Sequence, residues 1–145
     1  MYLSASLKQK WADLLLGDFT PHDIALGLAW GTFIALLPTF GFSILLALLF
    51  SFMFPHINRP AIIVALIVWN PLVQIPIYAA SFQIGSLLFE GMPVVKYNIE
   101  VLNQFYTFTR RFLVAHLAIT FTLSLFTYLS SRLVLKHFIV RRQPN

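Results

Sequence analysis

Residues 24–58, IALGLAWGTFIALLPTFGFSILLALLFSFMFPHIN, decide the architecture: 35 consecutive positions without Asp, Glu, Lys or Arg. As one helix this stretch would measure about 52 Å, against a hydrocarbon core of about 30 Å. It must bend, and the bend is legible at Leu37-Pro38-Thr39-Phe40-Gly41. Pro38 removes a helix hydrogen bond and Gly41 permits a sharp turn. Each arm then holds about 14–17 residues, at or below the length of a full crossing. The start is equally marked. Thr20 can cap, Pro21 suits the first helical position and Asp23 can close a capping box.

A second segment repeats the pattern. After the polar joint Pro55-His56-Ile57-Asn58-Arg59-Pro60, residues 61–89 again carry no charge, and they are interrupted by Asn70-Pro71-Leu72-Val73-Gln74-Ile75-Pro76. Two prolines in six residues argue against a continuous helix there. Arms of about 10 and 13 residues suit a re-entrant hairpin better than two crossings. Placing Pro38 over Pro71 aligns the two segments as a repeat of pattern, not of identity.

Working outward, residues 3–16 read as an amphipathic helix, with Leu3, Leu7, Trp11, Leu14 and Leu15 on one stripe. Residues 97–111 are amphipathic too, and Phe112 to Ser131 gives 20 uncharged residues, enough for one plain span. The expected fold is therefore an all-α integral membrane protein with two broken apolar hairpins. One membrane domain, 1–145, divides into an amphipathic N-terminal helix (1–19), a first broken segment (20–58) and a second (59–90). An amphipathic connector (91–111), a transmembrane helix (112–131) and a basic tail (132–145) follow.

Composition agrees. Of 145 residues 59% are apolar and 10% charged, with fifteen Phe and a mean hydropathy of +0.80. Soluble domains carry roughly 45–50% and 25%. An ordinary cytosolic enzyme and a disordered tail are excluded. With no Cys, thiolate catalysis and Cys-ligated metals are excluded as well. The first 23 residues lack the compact apolar core of a cleavable leader. The net charge of +5 lies in flanks beside the apolar runs, which suits an anionic bilayer and not a nucleic acid. Two placements remain open. If both broken segments return to the side they enter, six Lys/Arg share the N-terminal side and four the tail side. If one segment crosses once, the tail joins the N-terminus and the division is seven against three, closer to the positive-inside rule.

Non-helical backbone at membrane depth needs protein or water partners. The breaks also bring Thr39, Ser43, Asn70 and Gln74 to that depth. Converging half-helix ends can hold an ion or an anionic lipid headgroup; equally, these groups can bond one another and stabilise two kinks. Arg59 is the only charge between Asp23 and Glu90. It can bind a phosphate or carboxylate, or snorkel to the interface. Asp23 is explained by capping, and His116 lies four residues inside the last span, at an interface or in a working position. Enzyme templates fail: the five carboxylates are dispersed, no His pair has metal spacing, and there is no nucleophile elbow or phosphate-cradling loop. A non-enzymatic protein without cofactor is expected, with the lipid bilayer as partner, anionic headgroups and a second copy of the chain as further partners.

Pro21 through Gly41, PHDIALGLAWGTFIALLPTFG, resembles the bacterial membrane family called domain of unknown function 2062. So do Asn58, Asn70-Pro71, Pro76-Ile77-Tyr78 and Gly85. The likeness extends over roughly residues 15–90. It implies an integral protein of a bacterial inner membrane and no established activity. Its signature positions here are Pro38, Gly41, Asn58, Asn70, Pro71 and Pro76. The family pattern has Gln near Ser43 and Thr near Val73, so a site built on those groups is altered in this chain. Two functions follow as expectations: a small transporter or lipid-headgroup-handling protein with its site at the breaks, or a structural or adaptor membrane protein.

Overall fold

A computed structural model describes residues 19–39, 41–91, 96 and 98–140, with side chains to 137. The expected helix at 3–16 and the end of the basic tail lie outside the described residues. Those described are all-helical: α1 (Pro21–Leu36), α2 (Ser43–Met53), α3 (Arg59–Val68), α4 (Pro71–Leu88) and α5 (Glu100–Val140). Helix α1 begins as its sequence dictates. The Thr20 hydroxyl accepts from Asp23 N, the Asp23 carboxylate accepts from Thr20 N, and Pro21 fills the first turn.

Helix α1 is the hub. It packs on α3 along one face and on α5 along another. Its contact with α3 is close because glycine permits it. A Cβ on Gly27 would meet the Asn58 carbonyl oxygen at 2.5 Å and Ala61 Cβ at 2.8 Å; one on Gly31 would meet Ala65 Cβ at 2.6 Å. Gly27-x-x-x-Gly31 thus lies on Ala61-x-x-x-Ala65, the small-residue packing that lets helix backbones approach where no hydrophobic effect drives them together. Gly85 of α4 does the same against the Arg111 backbone of α5. Among the described residues seven of the twelve buried apolar side chains are Ala, while Leu72, Phe52 and Val101 are 75–78% exposed. Small residues inside and large apolar ones outside invert the soluble pattern.

The register of contacts gives the path of the chain. Trp30 and Phe50 stack with ring centroids 4.6 Å apart, and Ile34 shares a cluster with Ala47, so α2 runs back along α1. Helix α3 runs parallel to α1: Gly27 meets Ala61, Gly31 meets Ala65, and Trp69 Nε1 donates to Thr32 Oγ1 at 2.9 Å. Helix α4 continues in the same sense, with Gln74 beside Ala35, then Ser81 beside His116 and Gly85 beside Arg111. Helix α5 returns antiparallel to both, placing His116 by Leu36, Ser124 by Ala29 and Tyr128 by His22.

This corrects the expectation of two hairpins. The first segment doubles back; the second is one bent path. The physical difference lies in the breaks. The first spans residues 37–42 and includes Gly41 at φ +101°, a left-handed residue that reverses the chain. The second is only Trp69 and Asn70, and Asn70 caps the next helix at once by accepting from Leu72 N at 2.9 Å. Pro71 takes the first position of α4, where no hydrogen bond is lost, and Pro76 lies inside the helix, which continues through it. The expected breaker over 70–76 is therefore mostly helix. From Glu100 on, the expected connector, the last span and the first residues of the expected tail are one helix of 41 residues, because no Gly or Pro interrupts residues 100–140.

Two helices are long and apolar enough to cross a membrane: Pro71–Leu88, and Glu100–His137 within α5.

Candidate functional site

The end of α1 creates an obligation. Its last carbonyls have no helical partner, and Pro38 supplies no N–H. Leu37 stands at φ −59°, ψ 138°, as a residue before proline prefers. Two side chains from other helices meet the need. Gln74 Nε2 donates to the Ala35 carbonyl at 3.1 Å and to the Trp69 carbonyl at 2.7 Å, so one amide closes both breaks. Its own oxygen accepts from the Tyr78 hydroxyl at 2.7 Å. His116 Nε2 donates to the Leu36 carbonyl at 2.7 Å.

His116 is fully buried. Its ring stacks on Phe112 at 5.0 Å and 11°, and Tyr78 leans on it at 5.0 Å. A carbonyl only accepts, so Nε2 carries a hydrogen. Nδ1 lies 2.8 Å from Ser81 Oγ, which is also 2.7 Å from the Ile77 carbonyl. The Ser81 hydroxyl has one hydrogen to share between Nδ1 and the Ile77 carbonyl.

From His116 a polar stripe runs along α5 towards the start of α1. Thr120 is fully buried and its Oγ1 has no hydrogen-bond partner. Ser124 Oγ donates to the Ala29 carbonyl at 2.8 Å. The Tyr128 hydroxyl lies 2.9 Å from His22 Nδ1 and accepts from Arg132 Nη1 at 3.1 Å. The spacing of four residues puts these side chains on one helix face.

The residues expected at the site divide into three groups. Gln74, Pro38 and the Asn70-Pro71 cap surround the junction, and the two breaks do meet there. Thr39 and Ser43 bond each other at 2.8 Å across the first turn, which Gly41 closes. Asn58, fully buried, lies elsewhere: it caps α3 by accepting from Ala61 N at 2.8 Å, beneath Gly27. Arg59 is exposed beside it, at the mouth of a cleft between α2 and α3. Pro76 is exposed on α4. His116, Ser81, Tyr78, Trp69 and Thr32 were missed as site residues. Only His116 had a signal, an ionisable group inside a span; the hydroxyls look like any span hydroxyl until the helices are placed. Among the described residues no group of three His, Cys, Asp or Glu can hold a metal.

The family model described as an uncharacterized protein conserved in bacteria (DUF2062) matches residues 4–143. The chain belongs to that family. The match reaches well past residues 15–90 on either side and covers all of α5. No curated protein and no solved structure matches this member of the DUF2062 family.

Proposed function

We propose that the protein is a small transporter of the bacterial inner membrane, linked to proton movement, whose working part is the junction of the two helix breaks. The α1–α2 pair enters as a re-entrant hairpin, α3–α4 crosses once and α5 crosses back. Both termini then share a side with Arg59, and seven Lys/Arg oppose Lys96, Arg110 and Arg111, which makes the terminal side cytoplasmic by the positive-inside rule. The observation that carries the activity is the buried polar line at the junction: His116, held between the Leu36 carbonyl and Ser81, is followed at four-residue spacing on the same face of α5 by Thr120, Ser124 and Tyr128. Thr120 Oγ1, unpartnered between His116 and Ser124, offers a further hydrogen-bonding station towards Tyr128 and His22. With no carboxylate in α1 beyond its first turn or in α2–α4, a bare metal cation is a poor cargo.

Proteoliposomes with a trapped pH dye test this. Protein-containing vesicles should dissipate an imposed proton gradient faster than empty ones. His116→Ala should abolish the difference and Thr120→Val should reduce it. Vesicles no leakier than empty ones overturn the reading.

A second reading, a structural or adaptor membrane protein, is favoured by the fact that Asn58, Asn70 and Gln74 all serve backbone groups. It expects no flux and losses of abundance only.

A further inference from the structure

Helices α2 and α3 lie antiparallel with a cleft of about 280 Å³ between them, whose lining includes Ile44, Leu48, Ser51, Phe52, Arg59 and Leu66. Its walls are graded along its length. Arg59 and Phe52 stand at the loop end; Leu66 and Ile44 stand at the deep end. Arg59 and Leu66 are seven positions apart, about 10 Å along the helix. The one charge in the lining is at the loop end, and the rest is apolar apart from Ser51, whose hydroxyl is turned to the Ala47 carbonyl at 2.7 Å.

Arg59 is exposed. No Asp or Glu occurs between Asp23 and Glu90 to neutralise it in sequence. Nor does it hydrogen-bond or ion-pair with a described residue. It occupies the first position of α3, whose amino-terminal dipole adds to its charge. A cleft with a cation at one end and hydrocarbon walls along the rest is complementary to an amphiphile with an anionic head and an acyl tail. A soluble anion would leave the apolar length unused, a lipid without a phosphate would leave the guanidinium unpaired, and a zwitterionic phospholipid would bring an ammonium, a like charge, beside the guanidinium.

We infer that this cleft binds a glycerophospholipid of net negative charge, its phosphate on the Arg59 guanidinium and one acyl chain between α2 and α3. The inference rests on the bilayer placement proposed above and not on the proton path.

The test is lipid retention by full-length protein extracted in mild detergent from vesicles of phosphatidylethanolamine with one-fifth phosphatidylglycerol, read by native mass spectrometry. Wild type should retain phosphatidylglycerol in preference to phosphatidylethanolamine. Arg59→Gln should lower retention at least tenfold, Arg59→Lys should keep most of it, and Arg132→Gln, which removes a cation that does not line the cleft, should leave it unchanged. Leu48→Trp, which fills the cleft with Arg59 intact, should lower retention as Arg59→Gln does. Equal loss in Arg132→Gln, retention undiminished in Arg59→Gln or Leu48→Trp, or displacement by millimolar inorganic phosphate each overturns the site. A wild type that leaves the vesicles without detergent overturns the bilayer placement itself, a distinct failure.

Discussion

His116 Nε2 on α5 and the Leu36 carbonyl at the end of α1 are 2.7 Å apart, though eighty residues separate them in the chain. The bond is local in space because Pro38 ends α1 there, and it ties the break to the helix that packs on both α1 and α4. Removing the ring leaves a buried acceptor without a donor and a void beside Phe112. His116→Ala should therefore cost about 2–4 kcal/mol. His116→Gln, which retains an N–H, should recover part of it. Thermal unfolding in detergent reads both, and an unchanged midpoint for His116→Ala contradicts the brace.

The close approach of α1 and α3 makes a reciprocal prediction. Gly31→Ala brings a Cβ to 2.6 Å from Ala65 Cβ and 2.8 Å from the Ile62 carbonyl oxygen, neither of which can yield as a flexible side chain would. It should destabilise by about 1–3 kcal/mol. Ala65→Gly in the same chain removes the Cβ–Cβ clash and leaves the carbonyl one. The double variant should thus be less damaged than the two single costs combined by about 1 kcal/mol. Additive losses would mean that the helices do not meet at this pair.

Gln74 bridges the Ala35 and Trp69 carbonyls and accepts from Tyr78. Gln74→Leu keeps the volume and removes all three bonds, so a cost of about 2–4 kcal/mol is expected, with the proton flux lost alongside. Asn70→Ala removes a cap on a half-buried residue and should cost about 1–2 kcal/mol while flux is retained. If both variants lose flux in proportion to abundance, the junction is structural and the adaptor reading stands.

Much of this fold was legible before the helices were placed. The Thr20–Asp23 capping box, the break at Pro38–Gly41 and the fold-back of the first segment follow from local chemistry, because proline and left-handed glycine act on their immediate neighbours. The second break was misjudged because the count of prolines overlooked their positions: Pro71 is harmless in a first turn, and Asn70 restarts the helix. At the site, Gln74 and Asn70 were legible as polar groups in apolar runs. Ser81, Tyr78 and Thr32 were not, since a hydroxyl that bonds its own helix and one that meets another helix share the same sequence signature. The Gly27/Gly31 against Ala61/Ala65 seam shows only once two helices are known to be parallel neighbours.

The central claim is that α1–α2 doubles back while α3–α4 passes on. The chain has no Cys, so single substitutions can be labelled cleanly. Impermeant maleimide applied to either side of oriented vesicles should label His56→Cys, in the joint between α2 and α3, and His137→Cys, late in α5, from the same side. It should label Lys96→Cys, between α4 and α5, from the opposite side only. Labelling of Lys96→Cys from the side that labels His56→Cys would mean that the second segment also turns back, and the path described here would be wrong.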